Sequence, residues 1–199
     1  MKIEFVEKPF EHFLLKDIFN EQELEVVTKE IKTIGESAFS KNSEILNSNK
    51  INQDVNRTGF WLTNVYKDFR RYSNIYKICA SKLYGEEALD YFYSVSILGK
   101  YIKWSTSDDM LITKYQDQDY YERHHDRSSA TALFHIWNKD FSFEGGDLIF
   151  PEYDYTYKVK NNSGIIFPGC VKHEVNKITC SDNQPDNGRF CITNFIHNK

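Results

Sequence analysis

The sequence predicts a mainly β domain, a sandwich or barrel of short strands, with helices ahead of it. From Tyr91 onward, β-rich runs recur: YFYSVSIL, MLITKY, ATALFHIW, DLIFP, YTYKV, GIIFP and RFCITNFIH. Turn clusters such as WSTSDD, EGG, KNNSG and SDNQPDNG separate them, which is the texture of an all-β core. The first ninety residues instead hold two stretches with apolar residues at helical spacing. Aromatics are plentiful, with 15 Phe and 13 Tyr against 2 Met, which suits strands and an aromatic-lined pocket. A chain of 199 residues is long enough for one full core and short for two. The expected organisation is one domain, with a helical flank over 1–90 and a β core over 91–199.

Taken in order, residues 3–19 mix aromatic and charged residues and read as an extended entry. Asn20 and Glu23 have the spacing of a capping box. Leu24, Val27, Ile31 and Ile34 then form an apolar stripe that Gly35 ends, so an amphipathic helix is expected. Residues 40–58, SKNSEILNSNKINQDVNRT, are rich in Asn and Ser and read as an exposed loop, either disordered or covering a substrate. Phe60, Trp61 and Leu62 resume the core. A second helix is expected through about Tyr84, its apolar side marked by Tyr72, Ile75, Cys79 and Leu83. In EGGDLIFP, Gly145 and Gly146 permit a tight turn before a strand.

Composition narrows the function. The net charge is −4 and basic residues are scattered, which argues against a nucleic-acid partner. MKIEFVEKPF lacks the apolar run of a signal peptide, and no stretch approaches the length of a membrane span. Cys79, Cys170, Cys180 and Cys191 show no C-x-x-C spacing, which disfavours a zinc knuckle and suits reduced thiols. A cytoplasmic protein without a membrane partner is expected.

The chemistry concentrates in Tyr115 to Asp126, YQDQDYYERHHD, together with His173. In an extended strand His124 and Asp126 project to one face and His125 to the other. Two imidazoles and one carboxylate form a facial triad, which binds Fe(II) on one side and leaves the opposite positions open. A His-x-Asp pair alone also fits a surface turn, so the order of the surrounding elements has to decide. Downstream, Arg189, Cys191 and Thr193 share one face of a strand, and a guanidinium there is a ready clamp for a carboxylate. Tyr115 is readable as a core tyrosine, and His135 as a packed or pocket-lining one. His12 and His197 carry no argument.

Tyr115 lies nine residues before His124, with Tyr121 between them. HHD, ATALFHIW, EGGDLIFP, GIIFPG, His173 and the Gly188-Arg189-Phe190 run follow in order, and NRTGFWL is a weaker marker upstream. From Tyr115 to about Phe195 this arrangement resembles the prolyl 4-hydroxylase-like branch of the 2-oxoglutarate- and Fe(II)-dependent dioxygenases. The resemblance implies a distorted double-stranded β-helix, a cupin-like jelly-roll. It implies His124, Asp126 and His173 as catalytic metal ligands, Arg189 as the grip on the distal carboxylate of 2-oxoglutarate, and Tyr115 as a further contact to that cosubstrate or to metal-bound water. With O2, such an enzyme releases succinate and CO2 and hydroxylates an unactivated C–H bond. The implied substrate is a prolyl or other side chain of a peptide or protein, with a free amino acid or other small molecule as the alternative.

Two departures stand out. Gln118 replaces the glycine common between the tyrosine and the first histidine. Cys191 replaces a frequent Ser or Thr, whose hydrogen bond Thr193 would take over. Among rivals, a halogenase is disfavoured because Asp126 fills the carboxylate position. A nucleic-acid demethylase is disfavoured because nothing basic follows Arg189 until Lys199. A metal-binding jelly-roll that senses or binds without turnover is the reading from a different class.

Overall fold

Strand alternation builds two facing antiparallel sheets and leaves one side of the larger sheet for helices. The computed structural model describes residues 1–41, 55–181 and 187–198. Its strands are β1 Lys2–Val6, β2 His12–Lys16, β3 Ser40–Lys41, β4 Val55–Asn56, β5 Thr58–Trp61, β6 Ser107–Tyr115, β7 Tyr120–His124 and β8 Ala130–Ile136. They continue with β9 Glu144–Gly145, β10 Leu148–Phe150, β11 Tyr155–Tyr157, β12 Ser163–Pro168, β13 His173–Val175, β14 Ile178–Thr179 and β15 Arg189–His197. The helices are α1 Glu21–Ile34, α2 Leu62–Tyr66, α3 Asn74–Tyr84, α4 Glu86–Val95 and α5 Ile97–Lys103.

The larger sheet runs β1-β2-β12-β8-β15-β6-β5-β3 and the smaller β11-β10-β13-β7-β4, with β14 and β9 paired apart. This is the jelly-roll, or double-stranded β-helix. On β15, Phe190, Ile192 and Ile196 pack toward the helices, while Arg189, Cys191, Thr193, Phe195 and His197 face a cavity. On β6, Met110 and Ile112 take the helix side and Leu111, Thr113 and Tyr115 the cavity side. Two cores result. One joins the large sheet to the helices through Phe13, Phe92, Ile102, Phe134 and Ile192. The other fills the space between the sheets with Leu133, Phe150, Ile165, Phe167 and Val175.

The expected first helix is present with its caps. The Asn20 side chain accepts from the Glu23 backbone at 2.9 Å, and the Glu23 carboxylate accepts from the Asn20 backbone at 2.9 Å. The second expected helix is α3, with Ile75, Cys79 and Leu83 buried and Tyr72 left just before it, exposed. A feature without a periodic signal joins the two. Glu30 of α1 is buried and accepts from Ser73 Oγ at 2.6 Å and from the Asn74 and Ile75 amides at 2.6 and 3.2 Å. It thereby caps the amino end of α3, where a carboxylate is favoured by the helix dipole.

Two expectations need correction. YFYSVSIL is helical, spanning α4 and the start of α5, because Phe92, Leu98 and Ile102 are buried against the large sheet at helical intervals. Ser96 separates the two helices by accepting from the Gly99 amide at 2.9 Å. A short apolar run cannot declare its period. The division at residue 90 fails for the same chain in both directions. Helix continues to Lys103, while β1, β2 and β5 from the first ninety residues pair into the large sheet. Of the 40–58 loop, residues 42–54 lie outside the described residues.

Replacing Glu30 with Ala removes the acceptor for the Ser73 and Tyr66 hydroxyl protons and for the first α3 amides. A loss of about 2–4 kcal/mol is expected, read as a lower denaturant midpoint at unchanged slope.

Candidate active site

The site is built on the pairing of β13 with β7, in which His173 stands directly across from His124. Their rings lie 4.2 Å apart, centroid to centroid. Asp126 follows the end of β7 and is held by its amide, which donates to the Gly169 carbonyl at 2.8 Å. His124 Nε2 and His173 Nε2 each lie 3.7 Å from an Asp126 carboxylate oxygen. The coordinating atoms of all three lie within 4.8 Å of one another, and His125 is not in this group.

Hydrogen bonds fix the orientation of both imidazoles. His124 Nδ1 contacts the Glu122 carbonyl at 2.8 Å, and His173 Nδ1 the Val171 carbonyl at 3.0 Å. A carbonyl only accepts, so each Nδ1 carries a proton and Nε2 is the nitrogen turned toward Asp126 and left for a metal. Asp126 accepts from Thr131 Oγ1 at 2.6 Å, which orients the carboxylate. Tyr121 stacks on His124 at 3.7 Å. Two imidazoles and one carboxylate with converging ligand atoms are a fitting donor set for Fe(II).

A cavity of about 410 Å³ extends from these groups between the sheets. Its wall follows the register of β15 with its neighbours: Arg189 opposite Tyr115, Cys191 opposite Thr113 and His135, and Thr193 opposite Leu111 and Leu133. Arg189 is 1% exposed, its guanidinium 4.3 Å over the Tyr115 ring. Burial lowers the Arg189 pKa, while Tyr115 and other anion-forming groups raise it in part. Burial pushes the Tyr115 phenol up to about 12, with Arg57 and Arg189 pulling the other way. The Tyr115 hydroxyl is therefore a proton donor at neutral pH. Thr193 is on the same face as Arg189 but four residues on, roughly 13 Å along the strand. Its hydroxyl lies 3.8 Å from Cys191 Sγ.

Several wall residues had no part in the sequence reading. Arg57 is buried, with its guanidinium 4.5 Å over Tyr121 and 5.9 Å over Tyr115. Its only sequence signal is the weak NRTGFWL marker. Asp109, Trp61 and His197 also line the cavity, with His197 Nε2 3.4 Å from Asp109. His197 was accessible in principle, since Arg189, Cys191, Thr193, Phe195 and His197 share one strand parity. Gln118 has a φ of 67°, in the left-handed region that a glycine enters without a Cβ penalty. Its amide donates to the Ile178 carbonyl at 2.9 Å, which ties the turn to the strand beside it.

Residues 110–197 match the family model described as the 2OG-Fe(II) oxygenase superfamily. The matched segment, just under half of the chain, contains His124, Asp126, His173 and Arg189. The resemblance read from the motifs therefore holds, and the cofactors of the superfamily are Fe(II), 2-oxoglutarate and O2. No curated protein matches the sequence. Among solved structures, the chain is similar to the collagen prolyl hydroxylase of Paramecium bursaria Chlorella virus-1, at 13% identity and a TM-score of 0.53, over 93% of this chain and 94% of that one. It is similar to a Pseudomonas putida prolyl-4-hydroxylase at 12% identity and a TM-score of 0.57, over 94% and 92%. It is also similar to JOX2, solved with 2OG, Fe and JA, at 13% identity and a TM-score of 0.58, over 94% and 68%. At these identities the likenesses show the fold alone.

Gln118 occupies a left-handed backbone position that costs about 1 kcal/mol for a residue with a Cβ. Gln118→Gly is expected to raise the unfolding free energy by up to about that amount, measured by denaturant unfolding, and to leave the fold unchanged by circular dichroism.

Proposed function

We propose that this oxygenase hydroxylates an unactivated C–H bond in a side chain of a peptide or protein, a prolyl ring foremost. The reading assigns His124, Asp126 and His173 as the iron ligands and Arg189 as the clamp for the distal carboxylate of 2-oxoglutarate. Its main support is one juxtaposition. The two imidazoles and the carboxylate stand on one cavity that also reaches a fully buried guanidinium, whose Nε and Nη2 have no hydrogen-bond partner among the described residues. A dianion with a chelating keto-acid end and a second carboxylate at the far end suits both sets of groups.

When bound, the metal with 2-oxoglutarate and O2 supplies the oxidising chemistry that yields succinate, CO2 and a hydroxyl for the substrate. The residues of this chain do the rest. His124 and His173 hold their Nδ1 protons on carbonyls, so that Nε2 faces the metal position. Thr131 steadies Asp126. Arg189 and the protonated Tyr115 hydroxyl orient the cosubstrate, and Leu133, Leu148 and Val175 keep the interior apolar and exclude water. Thr193 lines the same cavity on the same strand face as Arg189 and is a further candidate contact to the cosubstrate. Trp61 and Phe195, 5.7 Å apart, supply an aromatic surface for a ring or an aliphatic side chain. The similar structures of prolyl hydroxylases favour a peptide. JOX2 with its JA keeps a small molecule as the second reading. The four thiols are free, which suits a cytoplasmic setting.

Anaerobic addition of Fe(II) and 2-oxoglutarate to metal-free protein is expected to produce the weak visible charge-transfer band of the chelate. The band should bleach on exposure to O2, with succinate formed. Folded, metal-loaded protein that shows no band would overturn the clamp and favour a metal-binding jelly-roll without turnover. Asp126→Ala should abolish iron retention and turnover, and a fully active variant would sink the triad. Arg189→Ala should raise the 2-oxoglutarate requirement by about a hundredfold, with iron retained. Peptide and free amino acid screens for a mass gain of one oxygen separate the two substrate readings.

A further inference from the structure

Arg189 is not alone on its wall of the cavity. His135, on the adjacent strand β8, is 2% exposed, lines the same cavity and pairs in register with Cys191. Its Nδ1 lies 3.1 Å from Arg189 Nη1. A guanidinium can only donate, so Nδ1 must be the acceptor. The imidazole is then the neutral tautomer with its proton on Nε2. That Nε2 is buried and has no hydrogen-bond partner among the described residues, as is true of Arg189 Nε and Nη2. An orphaned buried donor is costly, and three on neighbouring side chains of one cavity wall call for an acceptor from outside.

We propose that His135 is a specificity-determining residue for the cosubstrate: its Nε2–H, fixed by Arg189, joins the guanidinium in holding the distal carboxylate of a 2-oxo dicarboxylic acid. The inference rests on the Arg189 reading given above and adds a residue to it. Arg189 serves twice, as a cation for the carboxylate and as the lock on the imidazole tautomer. Burial, and then the adjacent guanidinium, lower the His135 pKa well below its ordinary value, so the ring stays neutral. A neutral donor completes the carboxylate's hydrogen bonds without placing a second full charge beside Arg189. Tyr157 lies beside the ring, at 6.1 Å between centroids, but its hydroxyl is engaged with Ser163 at 2.9 Å.

The test compares 2-oxoglutarate with 2-oxobutanoate, which has the same keto-acid end and no distal carboxylate, in anaerobic titrations of the Fe(II) protein. His135→Phe should weaken 2-oxoglutarate by about tenfold to a hundredfold and leave 2-oxobutanoate unchanged. His135→Gln, whose amide N–H can stand in for Nε2–H, should restore most of the loss. Equal weakening of both ligands, or of neither, would overturn the proposal. In the wild-type protein, nitrogen-15 NMR should find His135 protonated on Nε2, with that proton shifting when 2-oxoglutarate binds. The opposite tautomer would also overturn it, whether or not a variant folds. If wild-type protein fails to prefer 2-oxoglutarate over 2-oxobutanoate, the Arg189 reading fails first and takes this one with it. A preserved preference with an unaffected His135→Phe removes His135 alone.

Discussion

The pairing of His124 with His173 across the smaller sheet is the constraint on which the site depends. Side chains alternate along a strand, so a slip of one residue would turn one imidazole out of the cavity. The pairing is irregular between His173 and Val175, and Val175 then faces Tyr121. A close backbone approach supports the adjoining turn. A Cβ on Gly169 would come within 2.2 Å of the Ser128 carbonyl, so only glycine lets that loop hold Asp126 through its amide. Orientation follows from backbone carbonyls rather than from other side chains, since each histidine is locked by the carbonyl two residues before it.

The cavity combines unlike groups, the Asp126 carboxylate and the imidazoles of His124 and His173 with the buried guanidinium groups of Arg57 and Arg189. An unpaired charge in an apolar interior is expensive. Here the Tyr115 ring, the neutral His135 and the more distant Asp147 moderate the cost, and no carboxylate is paired with Arg189 among the described residues. The fold thus retains a strained charge where a cosubstrate anion would relieve it. Placing that charge on a central strand of the larger sheet, between β6 and β8, gives it a fixed position that a loop could not.

Much of the architecture was legible because it rests on local rules. The capping box of α1, the alternation of β6, β8 and β15, and the paired glycines at 145 and 146, with φ values of 76° and 70°, all follow from short-range stereochemistry. Glu30 was not legible, since a charged residue next to an apolar stripe looks like a solvated one until α3 arrives above it. YFYSVSIL was misread because aromatic and aliphatic residues serve strands and helices alike, and its period emerged only on packing against the large sheet.

The sequence by itself determined which residue types alternate along β6, β7, β8 and β15, because alternation is a property of the backbone. The order of its motifs, through their resemblance to a family, named the candidate ligands and the candidate clamp. Only the tertiary structure decided which faces meet. It brought His173 across from His124 over 48 intervening residues, laid Arg57 over Tyr121, and set His135 against Arg189 so that a donor-only guanidinium fixed its tautomer. Those outcomes depend on cross-strand register and on the approach of distant loops, and no local pattern encodes either.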